Sequence, residues 1–465
     1  MLDVSKVIGM DDDTYGVLVR LVKEFNDHID SNRLKRRYYE GKITLGEVNL
    51  GLALPDGLKG LEMECGWGTN AVDILAGRSM FDGFVGKNGE DVADIERITD
   101  RNNLVSEYSK ACSDELIYAC SFATLTRGDD GAVIRFHSPE TASALWDGEK
   151  GRVKAGLAII DTEERNGDEV VKVLNLYTDT AIWVLTRNDD VYQAVRYPHR
   201  MGRPLFEPMM WRPTSKKPFG RSRLKSTVRR LMQGYVRTIC NATIGLEFAT
   251  SPQKYLLGVT DEQYDVLINQ KFKQYVGSIL ASTQNPETGA NPTFGQLPQG
   301  NIEPHVQMMR ILATQFCAIT GLSFADVGVI NDANPSSADA LLAQTQTLVS
   351  LAEKLNSRNG DSLKVIMRMA LAIERNVSLD ELSSEDTDFI AHFKNPAMPS
   401  VSVTADAAIK IASARQGFSD TDVFLEMIGF SQAEIRRIKA QEGRVRGVQL
   451  INEIANGTNN QGTMG

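Results

Sequence analysis

The stretch that decides the fold runs from Pro218 to Pro252 and reads PFGRSRLKSTVRRLMQGYVRTICNATIGLEFATSP. It predicts a helix that begins near Ser222, after a Pro-rich stretch (198–218) that interrupts regular structure. Apolar side chains recur in steps of three and four, the spacing of one continuous buried stripe. The stripe consists of Leu224, Val228, Leu231, Tyr235, Ile239 and Ala242.

A second apolar stripe predicts a partner helix over residues 302–320, ending at Gly321. Its members are Ile302, Val306, Met309, Ala313 and Phe316. The residues between the two helices predict a strand (254–258), a helix (260–281) and a loop (282–300). The two stripes could form the core of a monomeric bundle or join copies of the chain, and periodicity alone favours the monomeric bundle.

The flanking regions combine helices with strands, so the fold class is α+β and mainly helical. Helices are expected at 15–28 and, as a pair, within 91–118. Alternating apolar residues between turn signals predict an antiparallel β meander over 121–197, with hairpin turns at 127–131, 166–167 and 188–190. The remaining elements predicted are helices at 336–355, 362–374, 405–415 and 420–441, and a short strand at 401–403.

Bulk composition excludes several classes of protein. A chain of 465 residues exceeds one hydrophobic core, so two or more units are expected. The net charge of −9 argues against a protein that wraps DNA by neutralising phosphates. The five cysteines are scattered without a C-x-x-C pair, which fits synthesis in a reducing cytosol and neither a zinc ribbon nor a disulfide framework. The most apolar stretch, 311–330, is too polar to predict a membrane span.

The sequence contains no recognisable enzyme signature. No histidines stand at metal-ligand spacing, and neither a phosphate-binding loop nor a G-x-S-x-G elbow occurs. The acidic runs at 11–13 and 129–130 lie at a terminus and in a predicted turn, where Asp is favoured for backbone reasons. We therefore expect no enzymatic activity, no metal site and no cofactor.

Five segments, taken in order, resemble the portal family of tailed bacteriophages, most closely the type with long non-contractile tails. They are Arg36–Gly41, Arg203–Pro208 together with Pro218–Leu224, Phe248–Gly258, Ile319–Gly328 and Asn334–Ala340. Each segment alone is weakly specific, and their order and spacing carry the resemblance. The alternative is another structural head component, such as a minor capsid or adaptor protein.

The resemblance implies the portal fold and its division into wing, stem, clip and crown. The implied parts are a wing (1–221), stem helix 1 (222–250), a clip (251–301), stem helix 2 (302–320), a tunnel loop (321–335), a tunnel helix returning to the wing (336–376), a crown (377–455) and a disordered tail (456–465).

It also implies a ring, commonly of twelve copies, at one vertex of the capsid in the virion. Double-stranded DNA would pass through the channel during packaging and ejection. Implied partners are the large terminase subunit, scaffold and major capsid proteins, and head-completion or adaptor proteins at the clip. Assembly would take place in the cytoplasm of the host bacterium, without a membrane partner.

Two sets of residues are expected to line the channel. The irregular tunnel loop is expected to touch DNA loosely, since long irregular segments are often functional. Its candidate residues are Asp326, Val327, Val329, Ile330, Asn331, Asp332 and Asn334. The tunnel helix carries no charge between Asp339 and Glu353, and Gln344, Thr347 and Ser350 would give it a neutral polar face. That uncharged stretch is equally compatible with a buried helix.

A basic segment marks the junction of the implied wing and stem. It consists of Lys216, Lys217, Arg221, Arg223, Lys225, Arg229 and Arg230. Contact with DNA, contact with an acidic neighbouring subunit and an ordinary solvated surface all fit this pattern. Subunit contact is the interpretation we favour.

Overall fold

The structure is a computed structural model that describes residues 2–44, 62–86, 93–165, 167–250, 254–257, 289, 293–296, 301–328, 338–397 and 401–459. The chain divides into two compact units. The larger unit comprises residues 1–40, 68–225 and 333–465, and the smaller unit comprises residues 41–67 and 226–332.

The described helices are α1 (Asp12–Tyr39), α2 (Trp67–Ala76), α3 (Ala93–Arg101), α4 (Leu104–Tyr118), α5 (Ser226–Thr250), α6 (Glu303–Thr320), α7 (Ala338–Arg375), α8 (Val401–Ala414), α9 (Asp422–Ile428) and α10 (Gln432–Asn459). The described strands are β1 (Val7–Ile8), β2 (Lys42–Thr44), β3 (Glu62–Glu64), β4 (Phe81–Gly86), β5 (Cys120–Gly128), β6 (Gly131–His137), β7 (Ala142–Asp147), β8 (Arg152–Arg165), β9 (Asp168–Tyr177), β10 (Ala181–Asn188), β11 (Val191–Pro198), β12 (Phe206–Met210), β13 (Lys254–Leu257), β14 (Thr293–Gln296) and β15 (Phe389–Phe393). The expected fold class, α+β and mainly helical with antiparallel strands, is confirmed.

The main core of the larger unit lies between α1 and a six-stranded sheet. The strand order is β1-β11-β10-β9-β8-β7, antiparallel except that β1 runs parallel to β11. Apolar side chains of α1, which includes the helix predicted at 15–28, cover one face of this sheet, with Leu18, Leu21 and Phe25 all buried. Each such side chain contributes roughly 1.5–3 kcal/mol when fully buried, so α1 and the sheet form one stable layer pair.

The three predicted hairpins are present as β5–β6, β8–β9 and β10–β11. They do not form one meander, because β5 and β6 belong to a separate sheet of order β12-β5-β6. β12 lies within the Pro-rich stretch that was expected to lack regular structure, so that prediction is wrong for residues 206–210. Pro208 is tolerated there because β12 is an edge strand, where no ladder hydrogen bond is needed on the outer side.

The predicted helices at 336–355 and 362–374 are one continuous helix, α7, of 38 residues. The polar residues between them suggested a break, but Asn356, Asn359 and Ser362 are buried inside the larger unit. Ser362 Oγ donates to the carbonyl of Pro208 at 3.0 Å, and Asn359 Nδ2 donates to Glu115 Oε2 at 2.8 Å. These tertiary hydrogen bonds satisfy the polar side chains, so the helix continues through a polar stretch that was not predicted to be helical.

The C-terminal region departs from the prediction at two places. Residues 401–403 were expected to form a strand and are instead the first turn of α8. Residues 456–459, expected in a disordered tail, are the end of α10, and residues 460–465 lie outside the described residues. The strand β15, within the segment assigned to the crown, pairs with β4 from the segment assigned to the wing.

A buried polar network joins α4 to α7. Glu115 and Asn359 are fully buried, and Asn359 Nδ2 also donates to Tyr108 Oη at 3.1 Å. Within the described residues, Glu115 Oε1 and Asn359 Oδ1 lack hydrogen-bond partners. Two unpaired acceptors are costly at a buried site, and a proton on Glu115 resolves this because the carboxylic acid can donate to the amide oxygen. Burial raises the pKa of Glu115 to about 8.

Replacing Glu115 with Gln tests this proton. A carboxyl whose pKa is raised on folding favours the folded state below its unfolded pKa of about 4.3 and loses that contribution as pH rises through the folded value. We expect Glu115→Gln to match the wild type in urea unfolding near pH 5 and to exceed it in stability above pH 8. Glu149→Gln, at an exposed site, should show no such divergence. A constant stability difference between pH 5 and 9 for Glu115→Gln would contradict a neutral Glu115.

Candidate assembly site on the helical pair

The smaller unit is built around the pair α5–α6. The two helices run antiparallel, because α5 leads into β13, β14 leads into α6, and β13 pairs antiparallel with β14 in register Lys254 with Gln296. The strand over 254–257 was predicted, but its partner at 293–296 falls in what was expected to be a loop. The helix predicted at 260–281 lies outside the described residues.

Three members of the predicted stripe, Leu224, Val228 and Ala242, are buried, and in the middle of α5 the buried face is turned by about one residue from the prediction. Val228, Met232, Val236 and Cys240 are buried, at steps of four, whereas the predicted Leu231, Tyr235 and Ile239 are half-buried. Gly234 permits this approach, since a Cβ there would lie 3.3 Å from a methyl of Leu312 on α6. Packing against a neighbouring helix thus selects one of two adjacent apolar rows.

Trp67 anchors this pair. Its ring centroid lies 4.1 Å from that of Tyr235 on α5 and 4.9 Å from that of Phe316 on α6. Its indole Nε1 donates to the carbonyl of Val327 at 3.2 Å, and only 4% of the residue is exposed. A buried Trp gives large apolar contact and needs a partner for its N–H, so one residue joins α5, α6 and the turn that follows α6.

Sequence reasoning missed Trp67. The Gly66-Trp-Gly68 segment lies outside every predicted helix and strand. A tryptophan outside any periodic stripe was the available signal, because such a residue needs a pocket supplied by distant parts of the chain.

Two residues that were predicted to line the channel, Asp326 and Val327, lie in the turn after α6. Val327 is buried and its carbonyl accepts the Trp67 hydrogen bond, so it packs inward rather than projecting into a channel. Asp326 Oδ2 accepts from the backbone N–H of Ser323 at 2.8 Å and from its hydroxyl, which ties the short 3₁₀ turn at 325–327 to the residue two before it. The other predicted loop residues, Val329, Ile330, Asn331, Asp332 and Asn334, lie outside the described residues.

A second face of α6 is apolar and exposed. Met308, Ile311 and Ile319 are 45%, 52% and 39% exposed. At about 100° per residue they lie on one strip of the helix, which also includes Gln315. The face buried against α5 and Trp67 is formed by Leu312, Ala313, Phe316, Cys317 and Thr320. The helix therefore carries two apolar faces, and the described part of the chain covers one of them.

The basic segment divides into a structural residue and exposed cations. Arg223 is buried, its Nε donates to the carbonyl of Ala71 and its backbone N–H donates to the carbonyl of Leu116. Burial lowers the pKa of Arg223 to about 10. Arg223 therefore has a structural role inside the larger unit, and contact with DNA or a neighbouring subunit stays a prediction for the rest of the basic segment. Lys216, Lys217, Arg221, Lys225 and Arg230 are exposed, and Arg229 is half-buried.

The tunnel-helix face is partly described. Thr347 is exposed and Ser350 half-buried, while Leu348, Val349 and Ala352 are buried. The side chain of Gln344 lies outside the described residues, although its backbone is helical. The uncharged stretch before Glu353 thus has a buried apolar side and a neutral polar side, and the lining of a channel by the polar side stays a prediction.

The segment Pro218–Leu224 is held by its backbone. Gly220 has φ +82°, and a Cβ there would lie 2.3 Å from the carbonyl oxygen of Trp211 and 2.8 Å from that of Ala119. The next residue, Arg221, donates its N–H to the same Trp211 carbonyl at 2.8 Å. Ser222 Oγ accepts from the N–H of Leu224 at 2.9 Å and donates to the carbonyl of Ile117. Glycine and serine are therefore required where the chain approaches α5.

Gly220→Ala should destabilise the protein through both strain and collision. Gly202 is the matched control, since it also has a positive φ of +61° but has open space around it. We expect Gly202→Ala to cost about 1 kcal/mol from φ strain alone and Gly220→Ala to cost clearly more in urea unfolding. Equal losses for the two variants would contradict the close approach at Gly220.

The described residues hold no group of three or more His, Cys, Asp or Glu side chains placed to bind a metal ion. Among these residues, no helix combines the length and apolar character needed to cross a membrane.

Comparison with known proteins places the chain next to one curated relative. It is 23% identical over 450 residues to a protein named Portal protein from Mycobacterium phage D29, covering 93% of this chain and 89% of that one. This confirms the resemblance to portal proteins inferred from the sequence. No protein-family model matches the chain.

Among solved structures, the chain is similar to a chain in the neck of a native gene transfer agent particle computed with C12 symmetry, with a TM-score of 0.49, 10% identity, and coverage of 78% of this chain and 89% of that one. A chain in the virion of a native gene transfer agent particle gives a TM-score of 0.47 with 11% identity and the same coverage.

Proposed function

We propose that this chain, a relative of phage portal proteins along nearly its whole length, is the repeating subunit of a ring that forms a DNA channel at one vertex of a phage capsid. The ring would act as a passive conduit for DNA and as a docking platform for other proteins. Genomic DNA enters and leaves through the ring, while the motor that moves it is another chain.

The observation that carries this proposal is the second apolar face of α6. An exposed row of Met308, Ile311 and Ile319 is unfavourable in water unless another protein surface covers it. A neighbouring copy can do so through a heterologous contact, and such contacts close into a ring when the rotation between copies closes. We infer that the α5–α6 pair is the stem of that ring, with residues 251–301 as the clip.

The polar side of α7 supports the conduit role. DNA slides freely only where few of its phosphates are neutralised, because each neutralised phosphate adds affinity. Thr347 and Ser350 lie in a stretch, residues 340–352, that contains no charged side chain. We infer that this neutral side faces the channel, and that the net charge of −9 per subunit discourages trapping of DNA elsewhere.

The remaining roles follow from the relationship to portal proteins. We propose a ring of twelve copies located in the virion and assembled in the host cytoplasm. Its clip would bind the large terminase subunit during packaging and head-completion or adaptor proteins afterwards. Scaffold and major capsid proteins would contact the wing, residues 1–221. The exposed cations at 216, 217, 221, 225 and 230 would meet acidic neighbours.

A charge placed on the second face of α6 tests the ring contact. We expect Ile311→Glu to shift the purified protein from a large oligomer to monomers in light scattering, because a carboxylate would be buried in an apolar contact. Thr314→Glu is the matched control, since it adds the same charge to an exposed position one turn away, outside the apolar strip.

The two α6 variants should have the same far-UV circular dichroism spectrum, which separates loss of assembly from loss of folding. Retention of the oligomer by Ile311→Glu, or a wild type that is monomeric at all concentrations, would contradict the proposed contact.

The tunnel loop is tested by a deletion that spares the Trp67 contact. Because the Val327 carbonyl accepts from Trp67, the deletion should span 329–333 only. We propose that this segment touches DNA in the channel, so its loss should leave ring assembly intact and reduce the yield of DNA-filled heads. A deletion variant that packages and retains DNA normally would refute the role of the loop.

A further inference from the structure

The last helix, α10, leaves the body of the larger unit soon after it begins. Its first turn is fixed by the buried Ile435 and by the N–H of Gln432, which donates to Asp82 Oδ2 at 3.0 Å. Arg436 makes an ion pair with Glu96, and Lys439 pairs with Asp422 at 2.5 Å. From Lys439 to Gln449 every residue is exposed, so this stretch has no covering partner within the described chain.

The exposed part of α10 has a strongly basic face. Residues 436–446 contain five basic side chains and one acid, Glu442, in a protein whose net charge is −9. The five are Arg436, Arg437, Lys439, Arg444 and Arg446. At about 100° per residue they fall within one half of the helix surface. Val445, Val448 and Glu442 lie on the other half.

Two glycines stand at the centre of the basic face. Gly443 and Gly447 project in nearly the same direction as Arg436, and a Cβ at either position would meet nothing within 4 Å. Glycine costs about 1 kcal/mol relative to alanine inside an exposed helix, and no neighbouring atom in the described structure requires it here. The glycines leave a flat strip of helix backbone flanked by arginines, onto which a rigid charged chain can lie closely.

We propose that the basic face of α10 is a binding surface for the phosphate backbone of double-stranded DNA, with Gly443 and Gly447 as the strip along which the backbone lies. This surface goes beyond the proposed ring and does not rest on it.

The composition of the face favours DNA over an acidic protein. Protein contacts depend mainly on aromatic and arginine anchors at their centre. The centre of this face holds two glycines, Ala440 and one arginine, Arg436, which is already paired with Glu96. Phosphate contacts require cations and close approach, both of which the face supplies. No side chain in it is arranged to read base edges, so binding should be independent of sequence, salt-dependent and weak, with a Kd on the order of 10⁻⁴–10⁻⁶ M at physiological salt.

The test is binding of the full-length protein to a labelled 30-base-pair duplex, measured by fluorescence anisotropy from 50 to 200 mM KCl. We expect the triple variant Arg437→Gln, Arg444→Gln, Arg446→Gln to bind at least tenfold more weakly at 50 mM KCl. The slope of log K against log salt should fall by up to about 3, since each lost phosphate contact removes about 0.9. The matched control removes three exposed cations elsewhere, Arg20→Gln, Lys150→Gln and Lys154→Gln, and should bind like the wild type.

A second variant, Gly443→Leu with Gly447→Leu, keeps every charge and fills the strip. It should stabilise the helix and still weaken DNA binding several-fold. Equal binding by the wild type and the arginine variant, or an equal loss in the matched control, would overturn the proposal. So would a wild type that binds polyglutamate but not the duplex, since the partner would then be an acidic protein. Undiminished DNA binding by the leucine variant would refute the glycine strip.

Discussion

The packing of Trp67 between α5 and α6 determines which side of α6 is available to other molecules. With the indole ring against Tyr235 and Phe316, the row that includes Leu312 and Phe316 is buried. Met308, Ile311 and Ile319 are then left in solvent. A helix with two apolar rows can bury only one against a single partner helix, so the second row needs another surface. The proposed ring provides that surface, because a neighbouring copy would cover the second apolar row of α6.

Local signals predicted much of the fold, because hairpin turns and helix stripes are encoded over a few residues. The β5–β6, β8–β9 and β10–β11 hairpins were identified from their turn residues in this way. Long-range pairs were not predictable. β12 pairs with β5 across some eighty residues and β15 with β4 across about three hundred, and no local pattern specifies such partners. The break expected in α7 failed for the same reason, since its polar residues are satisfied by Pro208 and Glu115.

The candidate site was predicted less well than the fold. The apolar stripes predicted helices beginning near 222 and 302, and the structure has them at 226–250 and 303–320. Composition could not tell which cations are structural. Arg223 looked like its exposed neighbours and is buried against the Ala71 carbonyl. Val327 looked like part of a mobile loop and is held by Trp67. In both cases the role of the residue depends on a partner far away in the sequence. The residues next to Arg223 or Val327 in the sequence do not indicate that partner.

Charge is distributed unevenly along this acidic chain, in a way that suits its proposed work. The uncharged stretch of α7 offers DNA no fixed contacts, whereas the exposed half of α10 concentrates cations around a strip of glycine. On the proposed assignments, DNA would pass loosely along α7 and be held weakly by α10, so the two roles belong to separate helices. The central claim, that copies of this chain close into a ring, is tested most directly by electron microscopy of the purified wild-type protein. We expect closed rings with a central opening and a uniform number of subunits, and particles that remain monomeric at every concentration would rule out the ring.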